Sequence, residues 1–433
     1  MIKKKLFSLL ILIIIIVSVA FYKRDDLKHK LLTSLPSHFQ VVLQIINNPE
    51  RIKHFNNDYN VNFLPKTQFI NLNYLEKKLD FESLEEITNI YSNEKEKISY
   101  KIGLYKDLIY AIDSRANVKR FKLILNNDGI ELIDYKNIST NIENAALVKD
   151  FLIHDEIIYM SYILDTKNCK QLKIAKSKIN IMPLNFRIIY EPDFCINNLQ
   201  AASLQFYKHN DNDGLLISTS VEQSDKQSVA QDLKSIQGKI LFLNFKNNKP
   251  IIFSYGHRNP QGLLALNNII ISTEHGPKGG DEININLSPK TNEIENFGWP
   301  IASYGEHYGF KERDDNHVKY KNAPLYKSHS KYGFIEPIKY YVPSIGISEI
   351  IQVPNNYFSN TNNNFLIASM GSKITEGDLS IHHISLNDSF NEIISADTIP
   401  IGERIRDMIY IKDHKKVFLF LETSASIGIL ELN

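Results

Sequence analysis

The sequence predicts an all-β chain folded as a propeller, on three observations. Short runs rich in Ile, Leu, Phe and Tyr recur along it, broken by Asn, Asp, Gly or Lys, as strands are broken by turns. No long apolar repeat of helical period is present. Many short strands at roughly regular spacing indicate a sandwich, a barrel or a propeller. The 433 residues favour the propeller, because a sandwich of that length needs two copies and no duplication is visible.

The strand-like runs, in order, are KIGLYKDLIYAID (Lys101–Asp113), FLIHDEIIYMSYIL (Phe151–Leu164), GLLISTSV (Gly214–Val221), GKILFLNF (Gly238–Phe245), NNIIISTEHG (Asn267–Gly276), NNNFLIASMG (Asn362–Gly371) and ASIGILEL (Ala425–Leu432). Ahead of them, an uninterrupted apolar run from Leu6 to Tyr22 follows three lysines. Its length falls within the range that spans a bilayer. The lysine bias sets the N-terminus in the cytoplasm and the body outside. A cleaved signal peptide, with Ser18-Val19-Ala20 as its small-residue site, is the rival reading. Residues 1–22 are therefore read as a membrane anchor or signal peptide, 23–60 as a stalk or irregular cap, and 61–433 as the propeller, on the periplasmic side of the membrane. Ser83-Leu84-Glu85-Glu86 has the spacing of a capping box and predicts a short helix through ITNIY.

A hydrophobic content of 43% excludes a disordered chain. With a formal net charge of +1 and scattered Lys and Arg, the chain carries no electrostatic footprint for nucleic acid. The cysteines Cys169 and Cys195 can pair in an oxidising compartment or stay apart as buried thiols, and they lack the neighbours of a zinc site.

Polar chemistry concentrates in a few stretches. In YGHRNPQGL (Tyr255–Leu263), Pro260 stiffens the turn and Gly262 permits backbone that other residues resist. Arg258, Asn259 and Gln261 are thereby presented as planar hydrogen-bonding groups, suited either to a planar ligand bearing oxygens or to satisfying the turn itself. In STEHGPKGGDEIN (Ser272–Asn284), the Gly276-Pro277 turn exposes carbonyls of the kind Ca²⁺ prefers, and Asp281 and Glu282 add charge. An ordinary Gly-rich turn is the alternative. Trp299, in NFGWP, reads as a packing residue. In GERIRDM (Gly402–Met408), Arg404 and Arg406 share one face of a strand, which calls for an anionic ligand, an acidic neighbour or solvent. The Tyr304–Tyr341 stretch reads as a long loop of the kind that carries function.

Taken together and in order, GHRNPQGL, EHGPKGGDEIN, NFGWP and RIRD resemble the pyrroloquinoline-quinone (PQQ)-dependent glucose/sorbosone dehydrogenases, especially the soluble aldose sugar dehydrogenases. AQDLKSIQGKIL (Ala230–Leu241) resembles a further family stretch, and the similarity runs from about Phe63 to the C-terminus. The resemblance implies a six-bladed β-propeller with PQQ lying over one end of its axis. It implies a Ca²⁺ against the cofactor, held by the carbonyls of Gly276 and Pro277. It places Arg258, Asn259 and Gln261 at the quinone oxygens, Arg404 and Arg406 at cofactor carboxylates, and Lys373 near the cofactor. The implied reaction moves a hydride from the anomeric carbon of an aldose sugar to the quinone.

One departure stands out. The family's H-x-G-G-R-L stretch, whose His is the catalytic base, reads NNLQAASLQF here. Leu199 falls at the His, Ala202 at a Gly and Ser203 at the Arg. Leu cannot take a proton. Glu222, His257, His275 and His307 are the nearby alternatives, without positional support from the family. Two functions follow: a quinone-dependent sugar dehydrogenase with a displaced base, or a catalytically degenerate propeller that binds a sugar, a cofactor or a protein partner.

Overall fold

A strand apolar on both faces must be covered on both, and the chain meets that demand by setting six sheets around a common centre. The computed structural model describes residues 99–431 apart from several loop stretches, the longest being 306–328 and 355–362, together with short strands at 61–62, 87–88 and 95–96. Each sheet is a blade of antiparallel strands that runs outward from the centre in chain order. Blade 1 is Tyr100–Tyr105, Leu108–Asp113, Val118–Asn126 and Gly129–Ile138. Blade 2 is Ala146–His154, Ile157–Thr166, Cys169–Lys178 and Arg187–Tyr190. Blade 3 is Leu204–His209, Asn212–Thr219, Lys239–Asn244 and Lys249–Tyr255, with Glu295–Asn296 added in parallel at its edge. Blade 4 is Pro260–Leu266, Ile269–Glu274, Asp281–Asn286 and Lys339–Tyr341. Blade 5 is Ile347–Val353, Asn363–Ser369, Ser380–Leu386 and Ile393–Pro400. Blade 6 is Ile405–Ile411, Lys416–Leu421 and Ser426–Glu431, completed by Val61–Asn62, which pairs antiparallel with the last of these. The ring is thus closed by β-pairing between the two ends of the propeller. The six-bladed expectation holds.

The core is divided into wedges. Tyr110, Ile112, Val148 and Met160 fill the space between blades 1 and 2, and Ile163, Leu172, Leu215 and Leu241 that between blades 2 and 3. Phe242, Phe253, Leu263 and Ile270 separate blades 3 and 4. Clusters of the same kind fill the three remaining interfaces. Alternation along a strand distributes its residues between two wedges. Phe365 and Ile367 face blade 4, whereas Leu366 and Ala368 face blade 6. Phe418 and Phe420 face blade 1, whereas Val417, Leu419 and Leu421 face blade 5. This double burial explains why FLIA (365–368) and VFLFL (417–421) are apolar throughout instead of alternating.

Polar bridges join neighbouring blades near the centre. Ser161 Oγ donates to the Ala202 carbonyl at 2.5 Å, Ser218 Oγ to the Pro260 carbonyl at 3.1 Å, and Ser348 Oγ to the Ile405 carbonyl at 2.7 Å. On the axis, Lys101 Nζ lies 3.2 Å from Glu349, 3.6 Å from Asp150 and 3.6 Å from Asp407, so one ammonium ties blade 1 to blades 2, 5 and 6. Burial works against the charge on Lys101, but Asp407, Asp150 and Glu349 outweigh it and raise its pKa. Burial in turn pushes the Glu349 and Asp150 carboxyls up, against the pull of Lys101.

The predicted helix after Ser83 is not formed where the structure describes it. Ile87–Thr88 is instead a strand paired with Lys95–Glu96. Two β-branched residues favour that extended pairing, and a capping signal alone cannot supply the helix. The long loop predicted to Tyr341 ends earlier, because Lys339–Tyr341 is the outer strand of blade 4. Cys195 is disulfide-bonded, and Cys169 is the chain's other cysteine. The apolar segment 6–22 lies outside the described residues. Among the described residues no helix is long and apolar enough to cross a membrane.

Candidate active site

Residues 256–259 carry the chain from the outer strand of blade 3 to the inner strand of blade 4. Gly256 adopts φ +76°, and a Cβ there would meet Asn296 Oδ1 at 2.2 Å. The turn is held from below by one carboxylate. Glu274 Oε1 accepts the backbone N–H of Arg258 and that of Asn259, the latter at 3.3 Å. Glu274 Oε2 faces His257 Nδ1 at 3.0 Å and accepts Asn284 Nδ2 at 3.3 Å. His257 has no exposed surface, and its Nε2 lies 2.8 Å from Ser254 Oγ. Both ring nitrogens are committed, so His257 holds the turn in place and does not face a substrate as a base.

Above this support the polar side chains of the turn are held by neighbours. Arg258 directs Nη1 to the His275 carbonyl at 2.8 Å, and its guanidinium lies 5.5 Å from the centre of the Trp299 ring. Trp299 is buried and donates Nε1–H to Gln227 at 3.1 Å, so its packing role holds. Gln261 donates Nε2–H to Asn259 Oδ1 at 2.8 Å, which fixes the two amides relative to each other. The role assigned to Gly262 changes. Its backbone is not left-handed; a Cβ would instead meet the Ser348 carbonyl of blade 5 at 2.6 Å. Glycine is required there for the close approach of two blades.

The His275-Gly276-Pro277 turn joins the second and third strands of blade 4. Asp281 anchors it: Oδ1 accepts the Gly276 N–H at 3.0 Å, and Oδ2 accepts the N–H groups of Ile345 and Ile347 at 3.0 Å each. Asp281 is spent on the backbone and is not a free metal ligand. Glu282 is buried, and burial together with Glu274 pushes its carboxyl well above the usual carboxylate range. Among the described residues no group of three or more His, Cys, Asp and Glu side chains is arranged to hold a metal. A cation at this turn therefore depends on carbonyl oxygens.

His275 Nε2 is buried without a hydrogen-bond partner. Burial lowers the His275 pKa, Asp281 opposes that, and Arg258 and Arg406 reinforce it. The imidazole is accordingly neutral near pH 7, within electrostatic reach of arginines from two separate motifs. Arg258, Gly276, Pro277 and Trp299 line one narrow cleft together with Glu274 and Glu282. Arg404 and Arg406 project from the start of blade 6 and converge on Glu422. Ser203, at the position of the family arginine, donates Oγ–H to the Gln261 carbonyl and so joins blades 3 and 4. Leu199, Glu222, His307 and Lys373 lie outside the described residues. Sequence reasoning missed Glu274 and Glu422 as partners. Glu274 sat inside a quoted motif, whereas nothing near Glu422 marked it.

The sequence pattern of the glucose/sorbosone dehydrogenase family matches residues 140–430. The aldose sugar dehydrogenase YliI of Escherichia coli (strain K12) is 29% identical over 225 residues, which cover 48% of this chain and 53% of the relative. The chain spans about half the length of the curated relatives it matches. The apo crystal structure of the soluble aldose sugar dehydrogenase from Escherichia coli superposes with a TM-score of 0.56 at 21% identity, covering 76% of this chain and 94% of that one. The holo form of the pyranose dehydrogenase PQQ domain from Coprinopsis cinerea gives 0.57 at 11% identity, covering 77% and 92%. At these identities the two structures speak for the fold.

Proposed function

The chain belongs to the glucose/sorbosone dehydrogenase family, and from that premise we propose that it oxidises an aldose sugar with PQQ and Ca²⁺. The observation that carries the reading is one side-chain arrangement: Arg258 and the unpartnered His275 Nε2 line one cleft with the Gly276-Pro277 turn. A buried polar atom without a partner calls for a ligand group, and a guanidinium at the same turn suits an anionic, planar one. The residues present therefore fit the quinone. The relatives' names, aldose sugar dehydrogenase and PQQ domain, support the same reading.

When bound, an ortho-quinone supplies the acceptor for the anomeric hydride, and a cation beside it stabilises the charge that develops. The chain's own residues do the rest. Gly276 and Pro277 would hold the cation through their carbonyls. Arg258 and Asn259 would orient the quinone oxygens from a turn that Glu274 holds through its backbone amides. Arg404, Arg406 and Lys373 are the residues that would meet its carboxylates. Trp299 walls the cleft beside Arg258. The proton of the sugar hydroxyl needs a base. Leu199 cannot act, His257 is enclosed, and Glu222 and His275 are the groups to test. If neither serves, the chain is a degenerate propeller that binds its ligand without turnover.

The three lysines ahead of the apolar run support a location on the periplasmic face of the cytoplasmic membrane. Dye-linked aldose oxidation by the purified chain, loaded with PQQ and Ca²⁺, tests the activity. Sugar-dependent dye reduction is expected. Quinone binding without turnover would leave the degenerate reading.

A further inference from the structure

Arg404 and Arg406 already hold a carboxylate. Arg404 Nε donates to Glu422 Oε2 at 2.7 Å, and Arg406 donates to Oε1 through Nε at 2.9 Å and Nη2 at 2.6 Å. Arg404 also gives Nη1–H to the Met370 carbonyl of blade 5. Glu422 follows the Lys416–Leu421 strand, and its own N–H donates to the Arg404 carbonyl at 2.8 Å. Its side chain is 7% exposed, against 39% for Arg404 and 27% for Arg406, so the carboxylate lies beneath the two guanidiniums. Burial would raise the Glu422 pKa, but Arg406 and Arg404 override it and hold the carboxyl down to about 2. It is an anion at any working pH.

The consequence for a ligand is electrostatic and geometric. Two guanidiniums and one carboxylate sum to a single positive charge. The Nε–Nη2 edge of Arg406, one of the edges that takes a carboxylate side-on, is spent on Glu422. We propose that Glu422 is a specificity-setting residue of the cofactor site, an internal anion that occupies the arginine pair and weakens its hold on a quinone bearing several carboxylates. The proposal rests on the quinone reading above.

The test is equilibrium titration of PQQ, with Ca²⁺ present, into the full-length chain and its Glu422→Gln variant. Glutamine keeps the size and removes the charge. At least tenfold tighter binding by the variant is expected. Equal or weaker binding, with the wild type binding normally, overturns the role of Glu422 and leaves the quinone reading standing. If neither protein binds PQQ, the quinone reading fails. Citrate then probes the arginine pair alone: a larger thermal stabilisation of Glu422→Gln than of the wild type sustains the internal-anion role, and equal shifts overturn it. Should Glu422→Gln not fold, Glu422→Asp draws the charge back by one methylene. It is expected to gain affinity several-fold, and no gain is the contrary result.

Discussion

At the scale of single residues, the site is organised by carboxylates that bind the chain's own groups. Glu274 fixes the amides of Arg258 and Asn259 and faces His257, which in turn reaches Ser254. A neutral amide in its place keeps one acceptor and adds an N–H that the Arg258 amide cannot accept. Glu274→Gln should cost about 1–3 kcal/mol of stability and weaken quinone binding without touching the ligand. Denaturant unfolding and a quinone titration on the same variant check both, and unchanged binding would show that the turn needs no such support. Glu422 makes a pH-dependent contribution whose sign is fixed. Its pKa falls from 4.5 to about 2 on folding, so its stabilisation is fully present above pH 4.5 and is lost as pH falls through about 2. The magnitude is roughly 2–3 kcal/mol, trimmed by the exposure of the arginines. The stability gap between wild type and Glu422→Gln should therefore shrink from pH 5 to pH 2. A gap that stays constant over that range would assign the loss to packing.

At the scale of elements, the strands were legible because each wedge of core demands apolar residues on both faces. Runs such as GKILFLNF and NNNFLIASMG announced strands. Their grouping into blades was not legible, because connections within and between blades use the same turn residues. GHRNPQGL was legible as a rigid polar turn, and the reason for Gly262 was not. Glycine spared for a neighbouring strand looks, in sequence, like glycine needed for a left-handed turn. Gly262→Ala would place a Cβ 2.6 Å from both the Ser348 carbonyl and Thr273 Oγ1. Overpacking of this kind costs about 1–3 kcal/mol, so thermal unfolding should shift down accordingly. Wild-type stability in that variant would mean that the blades part without strain. Glu422 was illegible for a related reason, being 18 residues from Arg404 at the end of an adjacent strand.

At the scale of the whole molecule, Lys101 and its three carboxylates tie together the innermost strands of four blades. Nothing around Lys101 in the sequence distinguishes it from a surface lysine, since its partners come from three other blades. Removing one member of a buried ion cluster strands the others, typically at 3–5 kcal/mol. Lys101→Met should destabilise the chain by about that amount, and adding Glu349→Gln should recover part of the loss by removing one stranded charge. Calorimetry of the single and double variants decides this. A Lys101→Met protein as stable as the wild type would show the cluster to be solvated and dispensable.

The ring holds Arg258, His275 and the Gly276-Pro277 turn around one cleft, and the account stands or falls on what that cleft binds. The direct measurement is titration of the purified full-length chain with PQQ in the presence of Ca²⁺, then with chelator, then with Ca²⁺ restored, for the wild type and Arg258→Lys. Saturable binding is predicted that disappears on chelation, returns with the ion, and is weaker in the variant, whose point charge cannot replace the planar fork. Absence of binding, or binding indifferent to both chelator and Arg258→Lys, would contradict it.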